Sequence, residues 1–433
     1  MNVTGYGRGN MANAGNRILL LVMLAALLPS CGGGGDDPGV TRLSVVTWRP
    51  NAPEVWERAI EEFEAHNPGI DVVLETGPSS STQLHDMLSQ RLRNRDSSVD
   101  VFVMDVVWPP EFAEAGWAMP LDSLFPQEER ELFFRGCIEA VTWDGGIYGV
   151  PFFLDAGVLY YRSDLLEKHG IPVPETWQGM VTAAEMVLEA EADPYLYGYS
   201  AQMAQYEGLV CNMLELVASA GGSLLEPAAP DARRALEFAR DSLVHLEGIT
   251  PPGILTYKEQ ESLELFAAGG AVFHRNWPYA WSVCADTSMS DVAGKVGIAV
   301  LPGFPGEESV SALGGWSFGI STFSNNPEEA WNFVRFMTSR EVQRMFAAEV
   351  GKPPARSGLY TDSLVLAANP HFSELEDVFR NAVPRPASPL YPQISHRLQG
   401  FLHEAVGDAG SDIHAMALEL ESDIEGIMAR LEE

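Results

Sequence analysis

Two spacings of apolar residues alternate along the chain beyond position 40. Residues 42–48 (RLSVVTW) form a β-branched run with strand character. In 53–66, Val55, Ala59, Ile60 and Phe63 recur at helical spacing, and Asn67-Pro68-Gly69 stops the pattern. A second strand is predicted over 70–75 and a second helix on the stripe Leu84, Met87, Leu88 and Leu92. A third strand over 99–104 ends on Asp105. Strands alternating with helices at these intervals predict βαβ units and a mainly parallel sheet, the pattern of an α/β protein. Ligands of open α/β sheets sit beyond the carboxyl ends of the strands. Trp48 and Asp105 both occupy that kind of position.

The stretch 148–177, YGVPFFLDAGVLYYRSDLLEKHGIPVPETW, organises the middle of the chain. It predicts an extended segment over 151–161, a short helix over 163–168, a Pro-punctuated turn at 171–174 and a new helix near Thr176. One acid, Asp155, lies there among Phe152, Phe153, Leu154, Val158 and Leu159. Desolvating a carboxylate without partners costs several kcal/mol, so Asp155 is either hydrogen-bonded inside or aimed at a ligand. Residues 175–290 are mostly helical by pattern, with helices over 232–246 and 257–268 and Gly269-Gly270 closing the second. A short strand over 271–273 leads into HRNWPYAW, 274–281. Three aromatics around Pro278 suit a cleft wall better than a strand interior, with an aromatic core corner as the alternative. Strands are predicted again over 295–302 and 313–321. A helix capped at Asn325-Asn326-Pro327 carries Trp331, Val334, Phe336 and Met337. The last helix places Ile413, Met416, Leu420, Ile424, Ile427 and Leu431 on one stripe.

With 433 residues, 46% of them apolar, the chain is long enough for two domains or three with real cores, which excludes a disordered class. Its first thirty residues follow another logic. Arg8 and Arg17 precede an eleven-residue apolar run, 18–28, too short to span a bilayer and typical of a signal peptide. Leu28-Pro29-Ser30-Cys31 resembles a bacterial lipobox, which predicts Cys31 as the lipid-modified new N-terminus on the cell envelope. Residues 31–40 then make a flexible tether to the membrane. The net charge of −33 repels nucleic acid and anionic lipid and makes both poor partner candidates, so no nucleic acid is expected as a partner. Cys137, Cys211 and Cys284 allow one disulfide at most, and buried free thiols are expected. The nine His show neither HExxH nor spacing with Cys, so no metal and no cofactor is expected.

The 148–177 block, residues 296–303, the strand with Gly314-Gly315-Trp316, the helix in NNPEEAWNFVRFMTS and Gly351-Lys352-Pro353-Pro354 together resemble bacterial extracellular solute-binding proteins of the sugar-binding group, which feed ABC importers. The resemblance implies a monomeric two-lobe fold of the periplasmic-binding-protein type II. Its lobes would be discontinuous, one of residues 41–153 plus 303–352 and the other of 154–302 plus 353–433, with a cleft at the crossing. A sugar site needs aromatic plates for the C–H face and planar charged groups that bond hydroxyls in pairs. Members that bind trehalose or maltose are similar at Asp105, Asp155, Trp277, Tyr279, Gly315, Trp316 and Arg385. That likeness implies two acceptors, three plates, a close backbone approach and a fork donor, with Trp48, Trp108 and Gly314 as further candidates. The chain departs from these members at Arg49-Pro50-Asn51-Ala52-Pro53, where an acid is expected, and at Phe153, where a tyrosine is expected. The implied partners are a disaccharide such as trehalose or maltose and a membrane permease.

Other classes compete with this one. Gly315-Trp316-Ser317-Phe318-Gly319 matches the GxSxG nucleophile elbow, but the elbow needs a helix to begin at the serine, and the pattern stays strand-like. A glycosidase could use Asp105 and Asp155 as its carboxylate pair. A binding protein for a polyamine, iron or a phosphate ester is a further alternative, although the mixture of Trp, Tyr, Asp and Arg favours a neutral polyhydroxyl. Trp56, Trp117, Trp143, Trp177 and Trp331 are expected to be structural.

Overall fold

Strand β1 (Thr41–Thr47) lies parallel to β2 (Ile70–Thr76) on one side and to β3 (Val101–Asp105) on the other, with one helix between β1 and β2 and another between β2 and β3. Helix α1 (Pro53–His66) starts on a proline, whose missing N–H costs nothing at a first turn, and buries Val55, Trp56, Ala59, Ile60 and Phe63. Helix α2 (Ser81–Arg93) buries Leu84, Leu88 and Leu92. The computed structural model describes residues 40–431. The apolar leader, Cys31 and the glycine tether lie outside the described residues.

The chain then crosses in two consecutive strands, β4 (Val150–Ala156) and β5 (Val158–Arg162), with Gly157 between them. β4 belongs to the first sheet and β5 to a second. Helix α3 (Trp177–Glu191), strand β6 (Tyr197–Ser200), helix α4 (Glu207–Ala218), helix α5 (Glu259–Ala267), strand β7 (Ala271–Asn276) and strand β8 (Val296–Ala299) follow. Strand β9 (Leu313–Ile320) returns to the first sheet and is followed by helices α6 (Pro327–Met337) and α7 (Arg340–Val350). Near the end come α8 (Tyr391–Gly407) and α9 (Ile413–Met428).

The first sheet has the order β2-β1-β3-β9-β4 and the second β8-β5-β7-β6. The expectation of a mainly parallel sheet holds for β1 to β3 only, because β9 pairs antiparallel with both β3 and β4. The second sheet is also mixed, with β6 parallel to β7 and the remaining pairs antiparallel. β7 runs three residues beyond its predicted end, since His274, Arg275 and Asn276 pair with β5. β4 is an edge strand, yet it is buried along its whole length. The segment after α7 covers that edge, with Leu154 N–H donating to Pro353 O (3.0 Å) and Phe134 N–H to Ala355 O (3.0 Å).

Two hydrophobic clusters underlie the sheets. One gathers β1 to β4, β9, α1, α6 and α7, and the other gathers α3, α4, α8 and α9. Ala355, Leu359, Tyr360, Val365, Phe372 and Phe379 belong to the first cluster, although the segment from 353 onward is expected in the second lobe. Their placement follows from the edge cover, which ties this segment to β4. Cys137, Cys211 and Cys284 are free and buried. Ser317 sits inside β9, 2% exposed, so no helix begins at the serine of the GxSxG match. Among the described residues no helix is long and apolar enough to cross a membrane.

A buried ion pair fastens the crossing. Arg275, fully buried on β7, donates from Nε to Glu215 Oε2 (2.8 Å) and from Nη2 to Glu215 Oε1, while Nη1 reaches Gln202 Oε1 (3.1 Å). Glu215 Oε1 also accepts from Ala312 N–H at 3.2 Å. A Cβ on Gly157 would stand 2.0 Å from Glu215 Oε1 and 2.6 Å from Arg275 Nη2, so only glycine lets the crossing strand pass over the pair.

Removing one partner strands a buried charge. Arg275→Met is therefore expected to lower unfolding stability by about 3–5 kcal/mol, measured by urea denaturation. Arg275→Met combined with Glu215→Leu should recover a large part of the loss, because two apolar groups need no partner.

Candidate ligand-binding cleft

A cavity of about 530 Å³ opens where β3, β4 and β9 of the first sheet face β7, α4 and α5. The register of β9 builds one wall. Trp316 stands opposite Asp105 on β3 and Phe153 on β4, and Gly314 opposite Asp155 on β4. Gly315 adopts a φ of +129°, and a Cβ there would lie 2.6 Å from Phe153 O, so the position requires glycine. A Cβ on Gly314 would come within 3.0 Å of the Trp277 ring. Gly314 thus lets the β9 backbone pack directly under the Trp277 ring, and Gly315 lets it lie close against β4.

That far wall continues from β7. Asn276 Oδ1 accepts from Trp277 N–H (2.8 Å), and Tyr160 Oη donates to Trp277 O and Pro278 O (3.0 Å each), which fixes the turn. Arg275 lies 4.0 Å behind the Trp277 ring, a cation–π contact made by the same guanidinium that binds Glu215. Trp277 and Tyr279 face the cavity. Trp281 does not; it packs on His371 with ring centroids 4.8 Å apart, and His274 to Asn276 are strand interior. The predicted cleft wall over 274–281 therefore narrows to Trp277 and Tyr279.

The sequence candidates Asp105, Asp155, Trp277, Tyr279, Gly314, Gly315, Trp316, Arg385 and Trp48 all line this one cavity. Trp48 meets Trp316 with centroids 4.7 Å apart. Trp108 does not join them. It is 4% exposed, stacks on Phe112, and lines a neighbouring cavity of about 920 Å³. The expected structural tryptophans Trp56, Trp117 and Trp177 are buried in the clusters.

Charge at the cavity divides into two groups. At one end Arg385 donates from Nη2 to Asp105 Oδ1 (2.7 Å) and from Nη1 to Glu207 Oε1 (2.6 Å), so its fork is occupied and only Nε lacks a partner. Glu207, at the first turn of α4, also accepts from Tyr391 Oη and Ser395 Oγ. Burial pushes the Glu207 carboxyl up, but Arg385 and the two hydroxyls outweigh it and hold the group below the usual range. Burial raises the Asp105 carboxyl, against the pull of Arg385 and with Glu207 adding to the rise.

At the other end Asp155 is 6% exposed, and its Oδ1 has no hydrogen-bond partner. Burial pushes its carboxyl up to about 6, against the opposing charges of Lys352 and Arg275. A buried acceptor without a partner, on a side chain that lines the cavity together with Trp277 and Tyr279, is a place for a ligand's donor.

Sequence reasoning missed Glu207, Tyr206, Glu259 and Lys352, which also line the cavity. Glu207 and Glu259 begin helices, where an acid is ordinary because of the helix dipole, so nothing local marks them. Lys352 lies in the Gly351-Lys352-Pro353-Pro354 stretch that carries the resemblance, and its charge beside two prolines was the available signal.

Comparison with known proteins agrees with this architecture. Residues 49–344 match the model of bacterial extracellular solute-binding proteins. A probable ABC transporter-binding protein of Deinococcus radiodurans is 37% identical over 334 residues, spanning 75% of this chain and 78% of that protein. The maltose-bound structure of T. maritima MalE3 superposes with a TM-score of 0.85 at 35% identity, covering 90% of this chain and all of that one. A maltotriose-binding protein of Pyrococcus abyssi is 24% identical over 396 residues, spanning 88% of this chain and 81% of that protein. From the length of the family match and the extent of these likenesses, the chain belongs to the family of bacterial extracellular solute-binding proteins.

Proposed function

We propose that the protein captures a sugar of disaccharide size, maltose or trehalose, in the cavity between the two sheets and hands it to the permease of an ABC importer. The observation that carries this reading is the buried, unpartnered Oδ1 of Asp155, set beside the faces of Trp277 and Tyr279. A sugar hydroxyl supplies the missing donor and its C–H face supplies what the rings prefer. The likeness to a protein crystallised with maltose supports the substrate class. A cavity of about 530 Å³ lies in the range that holds small ligands.

In the same proposal the lobe built on the first sheet, with the segment 353–379 that packs on it, and the lobe built on the second sheet close on the sugar about the crossing at Gly157. The sugar favours closure because it binds the closed state more tightly than the open one. Cys31 carries the lipid that holds the protein at the membrane.

A thermal-shift and calorimetric screen of residues 36–433 against maltose, trehalose, sucrose and longer glucans, with polyamines and phosphate esters as controls, tests the reading. Binding by one or two sugars with no hydrolysed product supports it; binding by a charged control alone overturns it. Asp155→Ala is expected to weaken the bound sugar by about ten- to hundredfold, the worth of a hydrogen bond to a charged group, with the melting temperature of the ligand-free protein kept or raised.

Asp155 also makes stability depend on pH. A carboxyl raised to about 6 in the folded protein opposes folding fully above that pH, and the penalty vanishes as pH falls toward the unfolded value near 4. Asp155→Asn should therefore raise the melting temperature of the ligand-free protein at pH 8, with the gain fading between pH 6 and 4.

A further inference from the structure

Lys352 stands out among the groups of the cavity that the sugar reading leaves unused. Its Nζ lies 4.5 Å from the centroid of Phe153 and 4.6 Å from that of Tyr279, held between the two ring faces. Among the described residues Nζ makes neither a hydrogen bond nor an ion pair, so three donors of an ammonium point to the cavity without a protein acceptor. The backbone keeps it there. Lys352 N–H donates to Phe346 O (3.3 Å), and the next residue, Pro353, supplies the carbonyl that pairs with Leu154 N–H. The side chain therefore rises from the strand that covers β4, on the same edge as Asp155.

We infer that Lys352 is a specificity-determining residue of the cleft, whose ammonium and the open Oδ1 of Asp155 together take one pair of neighbouring hydroxyls on the sugar ring that rests on Tyr279. The inference rests on the sugar reading above and adds to it a donor that the seven sequence candidates do not contain. The chemistry of the pair explains its composition. Each sugar hydroxyl both donates and accepts, so adjacent hydroxyls are satisfied by one acceptor and one donor side by side. Asp155 offers the acceptor and Lys352 the donor. Phe153 contributes a ring face and no polar group; of the cavity's cations Arg49, Lys258, Lys352 and Arg385, Lys352 is the one seated against Phe153 and Tyr279, and the Arg385 fork is filled by Asp105 and Glu207.

Electrostatics couples the two groups. Burial lowers the Lys352 ammonium, while Asp155 and Glu259 raise it, and Lys352 in turn pulls the Asp155 carboxyl down along with Arg275. Asp105 and Glu259 face Asp155 with the opposite effect. Removing the Lys352 charge leaves Asp155 harder to ionise.

The experiment is calorimetric titration of maltose into wild type, Lys352→Met and Lys352→Arg between pH 5 and 8. Lys352→Met keeps the length and apolar contact with Phe153 and Tyr279 while deleting the donor. Its affinity for maltose is expected to fall by about ten- to hundredfold with the melting temperature of the ligand-free protein unchanged or raised. In wild type, affinity should weaken as pH falls through about 6, where Asp155 takes up its proton. In Lys352→Met that weakening should begin at higher pH, because Asp155 loses a neighbouring positive charge; the loss of affinity should persist at pH 8, well above the midpoint of Asp155, and a lysine that only tunes Asp155 would not produce that loss. Lys352→Arg should bind more tightly than Lys352→Met. A wild type that takes up maltose, with Lys352→Met equal to it in affinity at pH 8, overturns the role of Lys352 and leaves the sugar reading standing. A wild type that takes up none of the sugars overturns the reading on which both rest.

Discussion

The crossing at Gly157 depends on the ion pair between Arg275 and Glu215. The two charges are fully buried, and in that position each is tolerable only because the other is there and because Gln202, Ala312 N–H and the Trp277 ring absorb what remains of their bonding capacity. Through these contacts a single guanidinium ties β7 to α4, to the entry of β9 and to the aromatic wall of the cavity. The strand that passes over it has no room for a side chain. Scaffold and site are therefore one object at this point: the interaction that fixes where the chain changes sheets also fixes where Trp277 stands.

Polar groups in the cavity are unevenly satisfied, and the unevenness is informative. Arg385 bonds both Asp105 and Glu207 through its two terminal nitrogens and leaves only Nε without a partner, while Tyr391 and Ser395 also bond Glu207. Such a cluster positions its members and resists substitution. Asp155 and Lys352 have no such closure. A folded protein keeps buried polar atoms unpaired at a cost of roughly 1–3 kcal/mol each, and it does so where a ligand completes the bonding. In the proposed reading the contrast gives the two ends of the cavity different duties, one bracing the walls and the other meeting the solute.

Part of this arrangement was legible in the chain. Asp155 could be singled out because one acid in a run of Phe, Leu and Val has few places to go, and Trp277 and Tyr279 because a proline among aromatics breaks a strand. Gly314 and Gly315 stood out as a glycine pair in a strand pattern, and Gly315 takes a φ of +129° that only glycine adopts freely. Glu207 gave no sign, because an acid in the first turn of a helix is what the helix dipole alone would select. Trp108 lines the adjacent cavity because the turn into the helix Pro109–Glu114 carries its ring onto Phe112. Arg385 was visible as a cation between prolines, but its partners lie 178 and 280 residues away, and no local pattern encodes them.

By itself the sequence determined the α/β class, the alternation of strands and helices over the first hundred residues of the described fold, the position of the crossing, and the residue types that a sugar cleft needs. Those features depend on periodicity, on turn residues and on local composition, all of which are properties of neighbouring positions. Only the tertiary structure decided that β9 runs antiparallel between β3 and β4, that the segment after α7 covers the edge of β4, and that Arg385 is spent on two acids while Lys352 is left free. Each of those outcomes turns on which distant backbone edge or charge is nearest once the cores have formed. Partner choice over such separations is set by packing, and a linear pattern carries no record of it.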